Sequence, residues 1–188
     1  MTAITETAAS LTYGRLLRRL YFIRFVFAIA WAGLVFATAS AAGPLLTALL
    51  IVYPLFDAGA VLWQLRAAPD ARRSKTPEWI NVVVSVAVAI ALGIASATAV
   101  PAALVVWGVW AVGSGIPQLI TAIRNRRSGG QVAQMLSGGI SVLAGAGFLL
   151  QGLQGAGSIA GVAGYATLGG VFFVISALRL TIKPKESA

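Results

Sequence analysis

The chain is 188 residues long, 59% apolar and only 10% charged, with a mean hydropathy of +0.88. Charged residues make up about 25% of a soluble domain, so an ordinary water-soluble fold is excluded. Fourteen Lys and Arg against five Asp and Glu give a formal charge of +9, and the absence of Cys and His excludes disulfides, thiolate nucleophiles, Cys/His metal or haem sites and any Ser–His dyad.

Residues 1–12 are polar and are expected to be irregular or to lie on a surface, as part of a basic N-terminal segment, 1–19. Crossing about 30 Å of hydrocarbon takes about 20 apolar residues at 1.5 Å each. Six segments qualify: 21–39, 44–65, 79–99, 101–123, 133–153 and 157–180. They predict an all-α integral membrane protein with one six-helix domain, 20–182, and a short tail, 183–188. Arg18-Arg19 and Ala37-Thr38-Ala39 look like an export signal with a cleavage site, but five more spans follow, so an uncleaved first helix is expected.

The separators alternate in kind. Turns at 40–43, 99–101 and 154–157 are tiny and uncharged, whereas 66–78 and 124–131 are basic. Arg15, Arg18, Arg19 and Arg24 open the chain. Arg66, Arg72, Arg73 and Lys75 follow span 2, Arg124, Arg126 and Arg127 follow span 4, and Arg179, Lys183 and Lys185 close it. With six spans every cation falls on one side, which the positive-inside rule makes cytoplasmic, with both termini. That assigns the protein to a plasma (inner) membrane. It also accounts for the charge by topology and anionic lipid headgroups, so no nucleic-acid partner is expected.

Within the spans, Pro54 and Pro117 each remove a helical hydrogen bond and are expected to kink their helices. Trp63 and Trp79 flank the first basic loop as interface anchors, while Trp107 and Trp110 lie deeper, facing lipid or packing. Small residues four apart offer close-packing faces: Ala111 and Gly115 on span 4, Ser137, Ser141 and Gly145 on span 5, Ala156, Ala160 and Gly164 on span 6. They suit packing within the chain or a homo-oligomer contact.

The spans pair into three tandem helical hairpins, about 20–66, 79–124 and 133–180, with a pseudo-threefold repeat. Their second helices start at Pro44, Pro101 and Gly157 and end at Leu65-Arg66, Ile123-Arg124 and Leu178-Arg179. The residues carrying this pattern, Leu136 to Gly145 (LSGGISVLAG), Gly164 to Phe173 (GYATLGGVFF) and Ala177 to Leu180 (ALRL), resemble the last hairpin of the HdeD family. Those are bacterial inner-membrane proteins associated with acid resistance, and the resemblance covers about 20–182. Arg24 and Asp57 sit where many members carry Arg and Asp, although Phe25 and Ala58 replace the Gly that often follows each. The resemblance implies a six-helix membrane protein linked to acid or envelope stress, and no agreed biochemical activity.

Asp57 is the one acid within a span, at an insertion cost of about 2.5–3.5 kcal/mol. It lies about 3 Å, and Arg24 about 10 Å, to the cytoplasmic side of their helix centres, an offset that an extended Arg spans. Three readings follow: a structural Arg24–Asp57 clasp, a protonatable carboxyl lining a cavity, or a contact with a subunit or lipid. Polar companions are few: Tyr53, Ser114 and Gln118. No phosphate loop, second intramembrane acid or soluble domain is present, so neither an enzyme nor a cofactor is expected. The leading expectation is a non-enzymatic membrane component; the alternative is a small channel or transporter with Asp57 exchanging protons or cations.

Overall fold

A computed structural model describes residues 2–40, 43–67, 75–124 and 131–182, which form a bundle of six α-helices without strands. The helices are α1 (Thr2–Thr38), α2 (Pro44–Ala67), α3 (Thr76–Thr98), α4 (Val100–Arg124), α5 (Gln131–Leu153) and α6 (Ala160–Ile182). Each contains a stretch of 21–25 residues long and apolar enough to cross a membrane, which makes this a multi-pass membrane protein. Arg72, Arg73, Arg126, Arg127, Lys183 and Lys185 lie outside the described residues.

Two boundaries differ from the expectation. First, α1 is helical from Thr2 rather than irregular up to residue 12. Ala3, Ala8, Ala9 and Leu11 stand there with no Gly or Pro before Gly14, so a helix already nucleated by the span can extend through them. Second, Gly157 does not open α6. Gly155 (φ 68°) and Gly157 (φ 107°) both occupy the left-handed region that side chains avoid. Gly155 ends α5: its N–H donates to the Gly152 carbonyl, and the Ala156 N–H donates to that of Gln151. Ser158 Oγ then accepts from the Ala160 N–H at 3.2 Å, and α6 begins. Pro54 and Pro117 both lie inside continuous helices.

The helices pack in a closed ring in chain order, with α6 returning to α1. Contact is most extensive between α4 and α5, α1 and α6, and α2 and α3; the pairs joined by the short uncharged turns meet along thinner seams. Glycines explain the closest pair. A Cβ on Gly108 would stand 2.7 Å from the Gly145 oxygen, and one on Gly138 would stand 2.9 Å from the Leu119 nitrogen. Of the expected faces, Gly115, Ser141 and Gly145 therefore lie in the α4–α5 contact, where backbones approach directly, while Ala111 and Ser137 line the space inside the ring. The expected stripe on α6 does not pack within the chain: Ala156 and Gly164 are exposed, and α6 instead buries Val162, Ala163, Ala166, Gly170 and Ala177. A spacing of four defines a stripe without choosing which stripe meets a neighbour.

The core is lopsided. Trp31, Val35, Leu46, Leu50, Leu92, Leu104, Trp107, Phe148 and Ile159 form one buried cluster in the half of the bundle next to the uncharged turns. Trp107, expected at lipid or in packing, is fully buried and stacks on Trp31 at 5.4 Å between ring centres. Trp63 and Trp79 are exposed beside the first basic loop, as interface anchors should be. Outward-facing Leu143, Leu153, Phe36 and Ile94 are 69–76% exposed, a surface suited to lipid tails.

The two central tryptophans differ in one respect. Trp31 Nε1 donates to the Leu49 carbonyl at 2.6 Å, whereas Trp107 Nε1 is buried with no acceptor among the described residues. Trp31→Phe is therefore expected to destabilise the protein by about 1 kcal/mol more than Trp107→Phe, because only the former breaks a hydrogen bond. Unfolding both variants in mixed SDS micelles checks the order.

Candidate intramembrane polar site

The site begins with Asp57 on the third turn before the end of α2. A lone carboxylate in hydrocarbon needs a counter-charge and donors for its lone pairs. Two helices supply them. Arg24 Nη2 on α1 pairs with Asp57 Oδ1, while Asn81 Nδ2 and Ser85 Oγ on α3 donate to Oδ2 at 2.9 and 3.0 Å. Only 13% of the Arg24 side chain and 16% of the Asp57 side chain remain accessible. The guanidinium carbon also lies 4.6 Å from the centre of the Phe173 ring on α6, a cation–π contact. The expected Arg24–Asp57 pair is thus present, extended by two partners that the sequence reading missed. Asn81 and Ser85 stand four apart, so one face of α3 presents both; that spacing was the available signal.

Beyond Asp57 the ring encloses a cavity of about 280 Å³ to which every helix contributes. Tyr53, Ser114 and Gln118, the expected companions, all line it with Asp57. So do Tyr21, Asn81, Gln134, Ser137, Ser141, Tyr165 and Ser176, none of them anticipated. The sparse polar company inferred from sequence is therefore corrected: neutral hydroxyls and amides arrive one to three per helix, and only the ring gathers them. Local bonds fix several of these groups. Ser141 Oγ and the Tyr165 hydroxyl lie 2.8 Å apart, and Gln118 Nε2 donates to Gln134 Oε1 at 2.8 Å.

The cavity has a closed and an accessible end. Tyr53, Trp107 and Trp110 contact one another at 5.4–6.2 Å between ring centres, capping its inner end with the buried aromatic cluster. Trp110, like Trp107, faces inward, and it lines the cavity. Gln118, Gln134 and Ser176 line the other end, within about two turns of the helix termini on the basic side. The arrangement suits hydrogen bonding to a small polar molecule. Its one carboxylate is already engaged, which leaves neutral donors and acceptors as the free chemistry of the walls.

No family model, no curated protein and no solved structure matches the chain.

Proposed function

We propose that this protein is a non-enzymatic channel or transporter that admits a small polar solute to the central cavity from its basic side. One observation carries the reading: six otherwise apolar helices direct hydroxyls, amides and a carboxylate into one shared space. Polar groups inside a bilayer are costly, and a collection of them facing a cavity is the usual mark of a solute path. Orientation follows from the positive-inside rule, which makes the basic side cytoplasmic, with both termini, in a bacterial inner membrane.

The architecture reads as three tandem hairpins in a pseudo-threefold repeat. Two features support the threefold period: thin seams within each hairpin alternate with close contacts between hairpins around the ring, and a basic residue (Arg66, Arg124, Arg179) stands in the last turn of α2, α4 and α6. The resemblance to the HdeD family adds a physiological setting, acid or envelope stress, to the proposal. Within it, Asp57 is a wall element tied to Arg24. Direct proton exchange through Asp57 would require that ion pair to open.

Flux in proteoliposomes tests the reading. Gln154→Cys, labelled from outside, reports the fraction of molecules with the uncharged end outward. Proton-dye, monovalent-cation, urea, glycerol and glycine fluxes are then compared with empty vesicles. Passage of at least one of these is expected, with loss in folded Ser137→Trp, whose indole fills the cavity. A protein inert towards the whole panel would return the choice to a structural membrane component. Proton flux lost selectively in folded Asp57→Asn would instead make Asp57 the exchanging group.

A further inference from the structure

The basic residues on α1 are not spread around the helix. Arg15, Arg18 and Arg19 are followed on the same face by Phe22, Ile23 and Val26, at helical spacings of three and four. Together with Phe27, Phe56 of α2 and Leu178 of α6 they line an open groove of about 1040 Å³ on the outside of the bundle. Three cations stand at one end and the floor is apolar; no carboxylate lines it among the described residues. Arg15, Arg18 and Arg19 make no ion pair with a described residue, unlike Arg24.

Depth decides what fits. The apolar stretch of α1 runs over Gly14–Thr38, so the arginines stand in its first turns, at headgroup level, and Val26 lies about 10 Å deeper, among acyl chains. A cationic rim above an apolar floor, crossing the membrane interface in that order, matches one amphiphile: a phospholipid with an anionic head. We propose that this groove is a specific site for an anionic phospholipid, with its phosphate on Arg15, Arg18 and Arg19 and an acyl chain along Phe22, Ile23 and Val26. A general attraction of the +9 chain to acidic membranes would not distinguish this face from any other; the groove makes it local.

The chain has no native Cys, so a single introduced thiol is unique. A bimane label on Val26→Cys (native residue 62% exposed) reports the groove, and one on Leu143→Cys (76% exposed, on α5) reports ordinary lipid contact. Each labelled full-length protein is placed in phosphatidylcholine vesicles holding equal mole fractions of brominated phosphatidylglycerol or brominated phosphatidylcholine. The expected result is about fivefold stronger association of the brominated anionic lipid at Val26→Cys and none at Leu143→Cys. Arg15→Gln/Arg18→Gln/Arg19→Gln abolishes that preference, and the corresponding triple Lys variant keeps it. Equal quenching by both lipids at Val26→Cys overturns the proposal. So does the same preference at both labels, or one that survives the Gln substitutions. Competition by inorganic phosphate would assign the arginines to a free anion, and shielding of Val26→Cys from both lipids would assign the groove to a second copy of the chain; either overturns it too.

Discussion

Asp57→Asn and Arg24→Gln are each expected to destabilise the bundle by about 3 kcal/mol, and the double variant by clearly less than the sum. Each single change leaves the partner charge in a setting that is only 13–16% accessible, and removing one member of a buried pair costs about 3–5 kcal/mol. The lower value is appropriate because both side chains keep some exposure. The two singles should not be equal. After Arg24→Gln the Asp57 carboxylate keeps the Ser85 and Asn81 contacts, whereas after Asp57→Asn the Arg24 guanidinium loses its counter-charge and must reach for the basic interface. Asp57→Asn is therefore the more damaging. A double-mutant cycle by SDS unfolding measures the coupling; strictly additive losses would mean that the pair contributes nothing as a pair.

Gly145→Val is expected to cost more than 3 kcal/mol, or to prevent folding. A Cβ at that position would stand 2.8 Å from Val112 Cγ2 and 2.9 Å from both the Gly108 oxygen and the Val112 nitrogen. Two of those three atoms are backbone, so no rotamer change relieves the overlap and α4 must move away from α5. Gly139, on the same helix, has nothing within 4 Å of a built Cβ. Gly139→Val should therefore leave stability nearly unchanged. Detergent unfolding of the two variants side by side separates loss of close approach from any general effect of replacing glycine in α5.

These two predictions mark what sequence reading reaches and where it stops. Six spans are legible because about 20 apolar residues in a row have few other uses, and apart from the start of α1 the helix limits agree within a few residues. The Arg24–Asp57 pair is legible because a single acid in hydrocarbon demands a partner and only one cation lies in reach. Asn81 and Ser85 carry no such demand: a neutral side chain is tolerated in a span without announcing its contact. The cavity is hidden for the same reason, as Ser137 and Tyr165 gain meaning only once α5 and α6 face a common centre. The stripe of Ala156, Ala160 and Gly164 shows a different limit: the spacing marks a face, and only the fold shows that at Gly164 it turns outward rather than into the bundle.

The return of α6 to α1 has a consequence for biosynthesis. The first helix emerges from the ribosome well over a hundred residues before its most extensive neighbour, which at about 5–20 residues per second is a wait of roughly ten seconds. Arg24 need not wait, because Asp57 follows in the very next helix and neutralises it early. Ala28 must: it is buried in the finished bundle, and a Cβ on Gly170 of α6 would stand 3.3 Å from it. Until that last helix inserts, the space into which Ser141 and Tyr21 project lacks a wall. Nascent chains therefore pass through a stage that is electrostatically settled but sterically incomplete, and a chain stopped after α5 would keep its ion pair and expose its polar interior to lipid.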